Sequence, residues 1–173
     1  MNNKILFQEK QYMRQIWLWL LFVGIFISFN YSLYFEENIN LLEVLFCNLP
    51  LIIVMFFMLT TKLKTKIDEN SINFEFFPFH IGFINFKFQK MEKTIPFEAI
   101  EKMEVVTYNP IFDYGGWGIR YGGMNTICYN TMGNKGLLIY KKNKEKVLIG
   151  TQKPLELEKI INQISLQNES IIF

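Results

Sequence analysis

The apolar residues of this chain are concentrated in two long stretches near its N-terminus. Residues 16–35 include no charged residue, and as a helix with a rise of ~1.5 Å per residue they cover roughly 30 Å, the hydrocarbon thickness of a bilayer. Residues 41–61 form a second stretch, interrupted by Pro50. Proline is tolerated in a membrane-spanning helix and predicts a bend there. The pattern therefore predicts transmembrane helices at about residues 16–35 and 41–61.

Two other structures contain apolar stretches of this kind, the buried helix of a soluble protein and a cleaved signal peptide. Trp17 and Trp19 lie near one end of the first stretch, and Tyr31 and Tyr34 near the other. Amphipathic rings at both ends are typical of a spanning helix. The length of the stretch and the lack of a small-x-small cleavage site disfavour a signal peptide.

The short connection between the two stretches, residues 36–40, predicts an antiparallel hairpin. This connection contains no Lys or Arg, whereas basic residues flank the outer ends of both stretches. Those basic residues are Lys4, Lys10, Arg14, Lys62, Lys64 and Lys66. Because basic flanks stay inside the cell, we expect the hairpin in the inner (plasma) membrane with both termini cytoplasmic. Residues 1–15 are then a cytoplasmic N-terminal segment, residues 16–61 the hairpin and residues 62–173 a cytoplasmic domain.

The cytoplasmic domain is dominated by alternating apolar and polar residues, the period of strands with one buried face. Predicted strands lie at residues 72–76, 84–89, 94–97, 103–108, 118–121, 126–130, 137–140 and 147–149. Strands at such short spacing predict an antiparallel barrel or sandwich. Near the C-terminus, Leu157, Ile160, Ile161 and Ile164 follow the spacing of an amphipathic helix, with Pro154 at its first position. We expect this helix, at about residues 154–166, to cap the open end of the β structure.

Three segments resemble a bacterial membrane protein family. They are Ile95-Pro96 with Ile100 four residues further on, the run GGWGIR at residues 115–120, and the ending VLIGTQKPLELEKII at residues 147–161. The family has paired transmembrane helices followed by a small cytoplasmic domain of the pleckstrin-homology (PH) type. The resemblance implies an α+β membrane protein, in which a helical hairpin precedes a PH-like β-barrel or sandwich capped by a C-terminal helix. It implies no catalytic residue, since its motifs are structural.

The composition excludes several kinds of binding and structural site. One histidine excludes a multi-His metal site, and two cysteines, Cys47 and Cys128, exclude a disulfide framework. A formal net charge of +2 is too small to indicate a nucleic-acid-binding chain. No catalytic motif, cofactor motif or metal-ligand spacing is present, so we expect no enzyme activity, no cofactor and no nucleic-acid partner.

Two groups of residues are candidate binding surfaces. Residues 114–123 contain five glycines, and Trp117, Arg120 and Tyr121 within them form a possible binding surface. The alternative is that these glycines mark a bulge or a barrel corner, with Trp117 buried. Lys62, Lys64 and Lys66 leave the second helix directly and are possible contacts for anionic lipid head groups. Their role in fixing the topology is a sufficient explanation as well.

The sequence thus predicts a membrane-anchored binding or scaffolding module with a protein partner or a second copy of itself. The alternative is a small membrane enzyme or transporter accessory subunit. Its polar site would lie in the hairpin around Glu43, Asn48 and Asn30. A bond between Asn48 and either Asn30 or Ser28 would instead be an ordinary packing contact. Polar residues converging on a water-filled cavity would favour the alternative, and a closed hairpin would favour the binding module.

Overall fold

A computed structural model describes residues 4–35, 40–77, 91–123 and 125–167. The chain divides into two compact units. One unit is Met13–Thr61, and the other combines Met1–Tyr12 with Lys62–Phe173. The β unit therefore begins before the helices in sequence, and the helical unit is an insertion into it.

The helical unit contains the two predicted helices. Helix α1 runs from Ile16 to Tyr34 and helix α2 from Leu41 to Thr60. Both are long and apolar enough to cross a membrane, and 0% and 6% of their most apolar windows are buried. The core helix of a soluble protein would be mostly buried, so this exposure is consistent with a lipid environment. Pro50 lies inside α2, as the sequence predicts.

The first sheet of the β unit has four antiparallel strands in the order β1-β2-β3-β4. Its strands are β1 (Ile5–Tyr12), β2 (Lys62–Asp68), β3 (Ser71–Phe77) and β4 (Met91–Pro96). Strands β1 and β2 are additions to the sequence prediction, which placed no strand in either segment. They pair antiparallel with Tyr12 opposite Lys62, so the chain leaves the sheet and returns to it at neighbouring positions. The strand predicted at residues 84–89 lies outside the described residues.

The second sheet has five strands in the order β5-β8-β9-β7-β6. Its strands are β5 (Ile100–Thr107), β6 (Gly118–Gly122), β7 (Thr126–Asn130), β8 (Lys135–Lys141) and β9 (Lys146–Gly150). A one-turn helix α3 (Pro110–Tyr114) precedes β6, and helix α4 (Pro154–Gln167) follows β9. The expectation of a wholly antiparallel structure is wrong for one pair. Strand β9 turns back from β8 and lies beside β7, and β7 and β9 are parallel.

Of the two predicted arrangements, a barrel or a sandwich, the described strands form no closed barrel, because they belong to two separate sheets. The chain changes sheet at Pro96, which lacks an N–H for the strand ladder. A 3-10 turn, Phe97–Ala99, follows and ends the pairing of β4. The Phe97 amide instead donates to the carbonyl of Asn70, at 2.9 Å. This corner keeps β4 and β5 in different sheets, although they are consecutive in sequence.

One apolar cluster contains residues from both sheets and from α4. The first sheet contributes Ile67 and Phe74, and the second contributes Ile139 and Tyr129, whose ring centroid lies 4.8 Å from that of Phe74. Helix α4 buries Leu157, Ile161 and Ile164 in this core, as its period predicts. The helix therefore covers a two-sheet core, where the sequence led us to expect the end of a barrel.

Buried polar side chains fasten β1 to the second sheet. Glu9 accepts hydrogen bonds from the Thr151 hydroxyl at 2.7 Å and from the Gln152 amide at 2.8 Å. Gln11 donates to the Gly150 carbonyl at 2.6 Å and accepts from the Thr131 hydroxyl at 3.3 Å. Satisfied polar groups of this kind define a position more narrowly than apolar contacts do, because any displacement leaves a buried group unpaired.

Candidate binding surfaces

Helix α3 has only five residues, but hydrogen bonds cap both of its ends. The Asn109 side chain caps it by accepting from the amides of Ile111 and Phe112, both at 3.1 Å. The Asp113 carboxylate returns the contact by accepting from the Asn109 amide at 2.7 Å. Gly115 ends the helix in the left-handed conformation, with φ of 71°, which favours glycine. Asn109-Pro110 therefore starts a helix that is capped at both ends.

One side of α3 packs onto the second sheet. The Tyr114 ring lies over Gly122 of β6 and meets the Tyr108 ring edge to face, with centroids 5.7 Å apart. The Tyr108 hydroxyl accepts from the Asn130 side chain at 3.1 Å, and burial raises the pKa of this hydroxyl. Burial likewise raises the pKa of the Cys128 thiol to about 12. Cys128 is fully buried.

The other side of α3 presents apolar side chains to solvent. Phe112 is 87% exposed and Ile111 is 54% exposed. A large aromatic side chain on a short helix that is capped at both ends is a fixed apolar projection, since the backbone that holds it cannot easily turn it inward. Aromatic side chains such as Phe are enriched at protein interfaces relative to the rest of the surface. This feature was not predicted from the sequence.

The glycine-rich segment brings two of its three predicted residues together. Arg120 Nε donates to the Trp117 carbonyl at 3.1 Å, so the two residues are neighbours. Trp117 is half-buried, and its indole nitrogen donates to the Gly133 carbonyl at 3.4 Å. Arg120 is exposed, and in the register it shares a face of the sheet with Cys128. Tyr121, 81% exposed, is on the opposite face because successive strand residues alternate.

The glycines of this segment serve both the turn and the sheet. Gly116 and Gly118 have φ of 123° and 110°, which other residues rarely adopt. The Gly118 amide donates to the buried Asn130 side chain at 2.9 Å, which fixes the start of β6. The segment is thus a bend into an edge strand of the described sheet, and Trp117 is neither fully buried nor fully exposed. A binding role for Trp117, Arg120 and Tyr121 stays a prediction.

The three lysines after α2 all lie on β2 and share one face. Lys62 places its ammonium 4.7 Å from the centroid of the Phe77 ring. Lys64 forms an ion pair with Glu75 at 3.4 Å. Lys66 is exposed. Leu63, between the first two lysines, is fully buried, as the strand period requires.

The polar residues of the hairpin form two separate sets. Asn30 and Asn48 exchange two hydrogen bonds between their side-chain amides, at 2.9 and 3.0 Å. The predicted packing contact between Asn48 and Asn30 is therefore confirmed. Glu43 is engaged elsewhere, because it forms a capping box with Asn40 at the start of α2. The two asparagines satisfy each other, and Glu43 belongs to a helix cap.

Among the described residues, no group of three or more His, Cys, Asp or Glu side chains is placed to hold a metal ion. Comparisons of the chain with known protein families, with curated proteins and with solved structures give no match.

Proposed function

We propose that this chain is a membrane-anchored binding module whose β unit holds a protein partner at the cytoplasmic face of the inner membrane. The anchor is the helical hairpin, whose apolar surface is almost wholly exposed. The orientation is supported by basic residues on both outer flanks and by their absence from residues 36–40. We place the β unit in the PH-like group on the residues of the sequence resemblance and on its strands followed by a C-terminal helix.

The observation that supports the binding role is the exposure of Phe112 on a rigid helix. We call Ile111, Phe112, Trp117 and Arg120 the α3 surface. Ile111 and Phe112 supply exposed apolar groups, and Trp117 and Arg120, a few positions further on, supply a ring and a cation with planar donors. Aromatic residues and Arg are enriched at protein interfaces. Because α3 is already capped at both ends, little conformational entropy remains to be lost when a partner covers it.

The test compares partner capture with folding. Crosslinking and pull-down from native membranes should recover a defined partner with the wild-type chain and lose it with Phe112→Ser. Leu166→Ser is a matched control, because Leu166 is 86% exposed on α4, away from the α3 surface in sequence. Both variants should melt like the wild type, since neither side chain is in the core. Equal capture by the two variants would contradict the α3 surface as the binding site.

A further inference from the structure

The outer face of the first sheet brings together lysines from the two sides of the hairpin in sequence. Lys10 of β1 lies directly opposite Lys64 of β2 in the register. Lys62 and Lys66 share this face, because alternate residues of β2 point to the same side. We call these four residues the lysine face. The sequence did not indicate that Lys10 belongs to this group, since no strand was predicted within residues 1–15.

Two carboxylates whose side chains the structure describes, Glu75 and Asp68, share this face with the lysines. Glu75 pairs with Lys64. Asp68 lies at the β2–β3 turn and accepts hydrogen bonds from the amides of Asn70 and Ser71, at 3.0 and 2.9 Å. In the described part of the chain, neither Lys10 nor Lys66 forms an ion pair with a carboxylate.

Aromatic rings accompany the lysines at one end of the face. Tyr12, Lys62 and Phe77 form one row across β1, β2 and β3. The Lys10 ammonium lies 4.9 Å from the centroid of the Tyr12 ring, and the Lys62 ammonium lies 4.7 Å from that of Phe77. Basic side chains beside an amphipathic ring such as that of Tyr12 are typical of segments at a membrane interface.

Two lysines that face each other on neighbouring strands lower the stability of the β unit. Like charges directly opposite each other on neighbouring strands are destabilising, and Lys10 faces Lys64 in this way. An anion lying over the face would remove that repulsion. The chain itself indicates which anion, since Lys62 follows Thr60, the last residue of α2, by only two positions. Two residues span at most about 7 Å, so Lys62, at the near end of the lysine face, lies within the Debye length of about 8 Å from the end of α2 in physiological salt. The other lysines of the face lie further along β1 and β2.

We propose that the lysine face binds the anionic phospholipid head groups of the membrane in which the hairpin is anchored. This inference rests on the proposed membrane anchor and is independent of the α3 surface. The lipids are recognised by charge, through Lys10 and Lys66 above all, since neither forms an ion pair with a carboxylate among the described residues. Lys66 is attracted to Asp68 on its own strand, but this carboxylate also accepts hydrogen bonds from backbone amides. Tyr12 and Phe77 flank the site at the interface. Each lysine favours an anionic surface by about fivefold.

The experiment measures which lipid the full chain retains. The chain is purified from mixed micelles containing equal amounts of phosphatidylcholine and phosphatidylglycerol, and the bound lipids are quantified by mass spectrometry. The wild type should retain phosphatidylglycerol several-fold over phosphatidylcholine. Lys10→Gln/Lys66→Gln should lose most of this preference while keeping the Lys64–Glu75 pair. Lys142→Gln/Lys159→Gln is the matched control, since it removes two exposed lysines that belong to neither β1 nor β2, and it should retain the preference.

Any of three results in the lipid-retention experiment would overturn the inference. These are no preference in the wild type, an equal loss in the two double variants, or a preference unchanged in Lys10→Gln/Lys66→Gln. Competition by inorganic phosphate as effective as that by phosphatidylglycerol micelles would also reject the lipid as the source of the anion. Extraction of the chain from native membranes by alkaline carbonate tests the anchor itself. A chain that resists extraction but shows no lipid preference refutes the lysine face alone, whereas a chain released by carbonate refutes the anchor.

Discussion

The buried hydrogen bonds of β1 predict that this strand is a structural part of the β unit. A juxtamembrane tail would tolerate their loss without a change in stability. Gln11→Met keeps a side chain of similar length and removes its amide. Gln11 is 2% exposed, and its amide contacts the Gly150 carbonyl and the Thr131 hydroxyl, which are themselves buried. A buried polar group left without its partner costs about 1–3 kcal/mol. Because the Thr131 hydroxyl can rotate, we expect the free energy of unfolding to fall by about 2–4 kcal/mol in total.

The measurement is native-state hydrogen exchange of the full chain in mild detergent, followed on the core strands β8 and β9. Their slowest amides report global opening of the β unit. They should exchange roughly 30-fold to several-hundred-fold faster in Gln11→Met. Gln8→Met is the control, since Gln8 lies on the same strand but is exposed, and it should change the free energy by no more than about 0.5 kcal/mol. Equal exchange rates in the two variants would refute the packing of β1 described here.

Three further predictions concern the hairpin insertion, α3 and Cys128. Replacing residues 14–60 by Asn-Gly should yield a soluble, monomeric β unit. The Met13 amide already donates to the Thr61 carbonyl at 3.4 Å, which continues the β1–β2 ladder up to the new turn. Aggregation of this variant on gel filtration would contradict the prediction. Gly122→Ala should lower the free energy of unfolding by about 1–3 kcal/mol, because its Cβ would overlap the Tyr114 ring, whereas Gly123→Ala, with no atom within 4 Å, should not. Cys128, with a pKa raised to about 12 by burial, stays a protonated thiol through neutral and mildly alkaline pH. Mass spectrometry should therefore find it alkylated only after unfolding, and rapid labelling of the folded chain would contradict its burial.

The elements that the sequence predicted are those with strong local patterns. Residues 126–130, a short apolar run between polar ends, form β7 with the predicted bounds, and Pro154 begins α4 as expected. Both apolar stretches form helices, ending one residue before the predicted limits. In each case, a period or a terminating residue within a few positions is enough to define the element.

Strand β1 was missed because its inward-facing residues are not apolar. Phe7 follows the strand period, but Glu9 and Gln11 occupy the next two inward positions and resemble a solvated segment. Their partners, Thr151 and Gly150, lie about 140 positions further along the chain. No local pattern reveals a hydrogen bond across that separation.

The sequence contains local signals for some features of the sheets and of the candidate binding surfaces, but not for others. Pro96 could have indicated the corner that separates the two sheets, since proline ends strand pairing. The placement of Arg120 and Tyr121 on opposite faces follows from the strand period and was available from the sequence. The exposure of Phe112 was not, because it depends on how Tyr114 packs against Tyr108 and Gly122.

The most direct test of the membrane anchor and its orientation is a pair of reporter fusions in living cells. Alkaline phosphatase, active only outside the cytoplasm, and green fluorescent protein, fluorescent only inside it, are each fused within residues 36–40 and after residue 173. We predict phosphatase activity at the connection and fluorescence at the C-terminus, because both helices cross the membrane and the basic flanks stay inside. Phosphatase activity at the C-terminus, or fluorescence from the connection, would contradict a two-helix anchor with a cytoplasmic β unit.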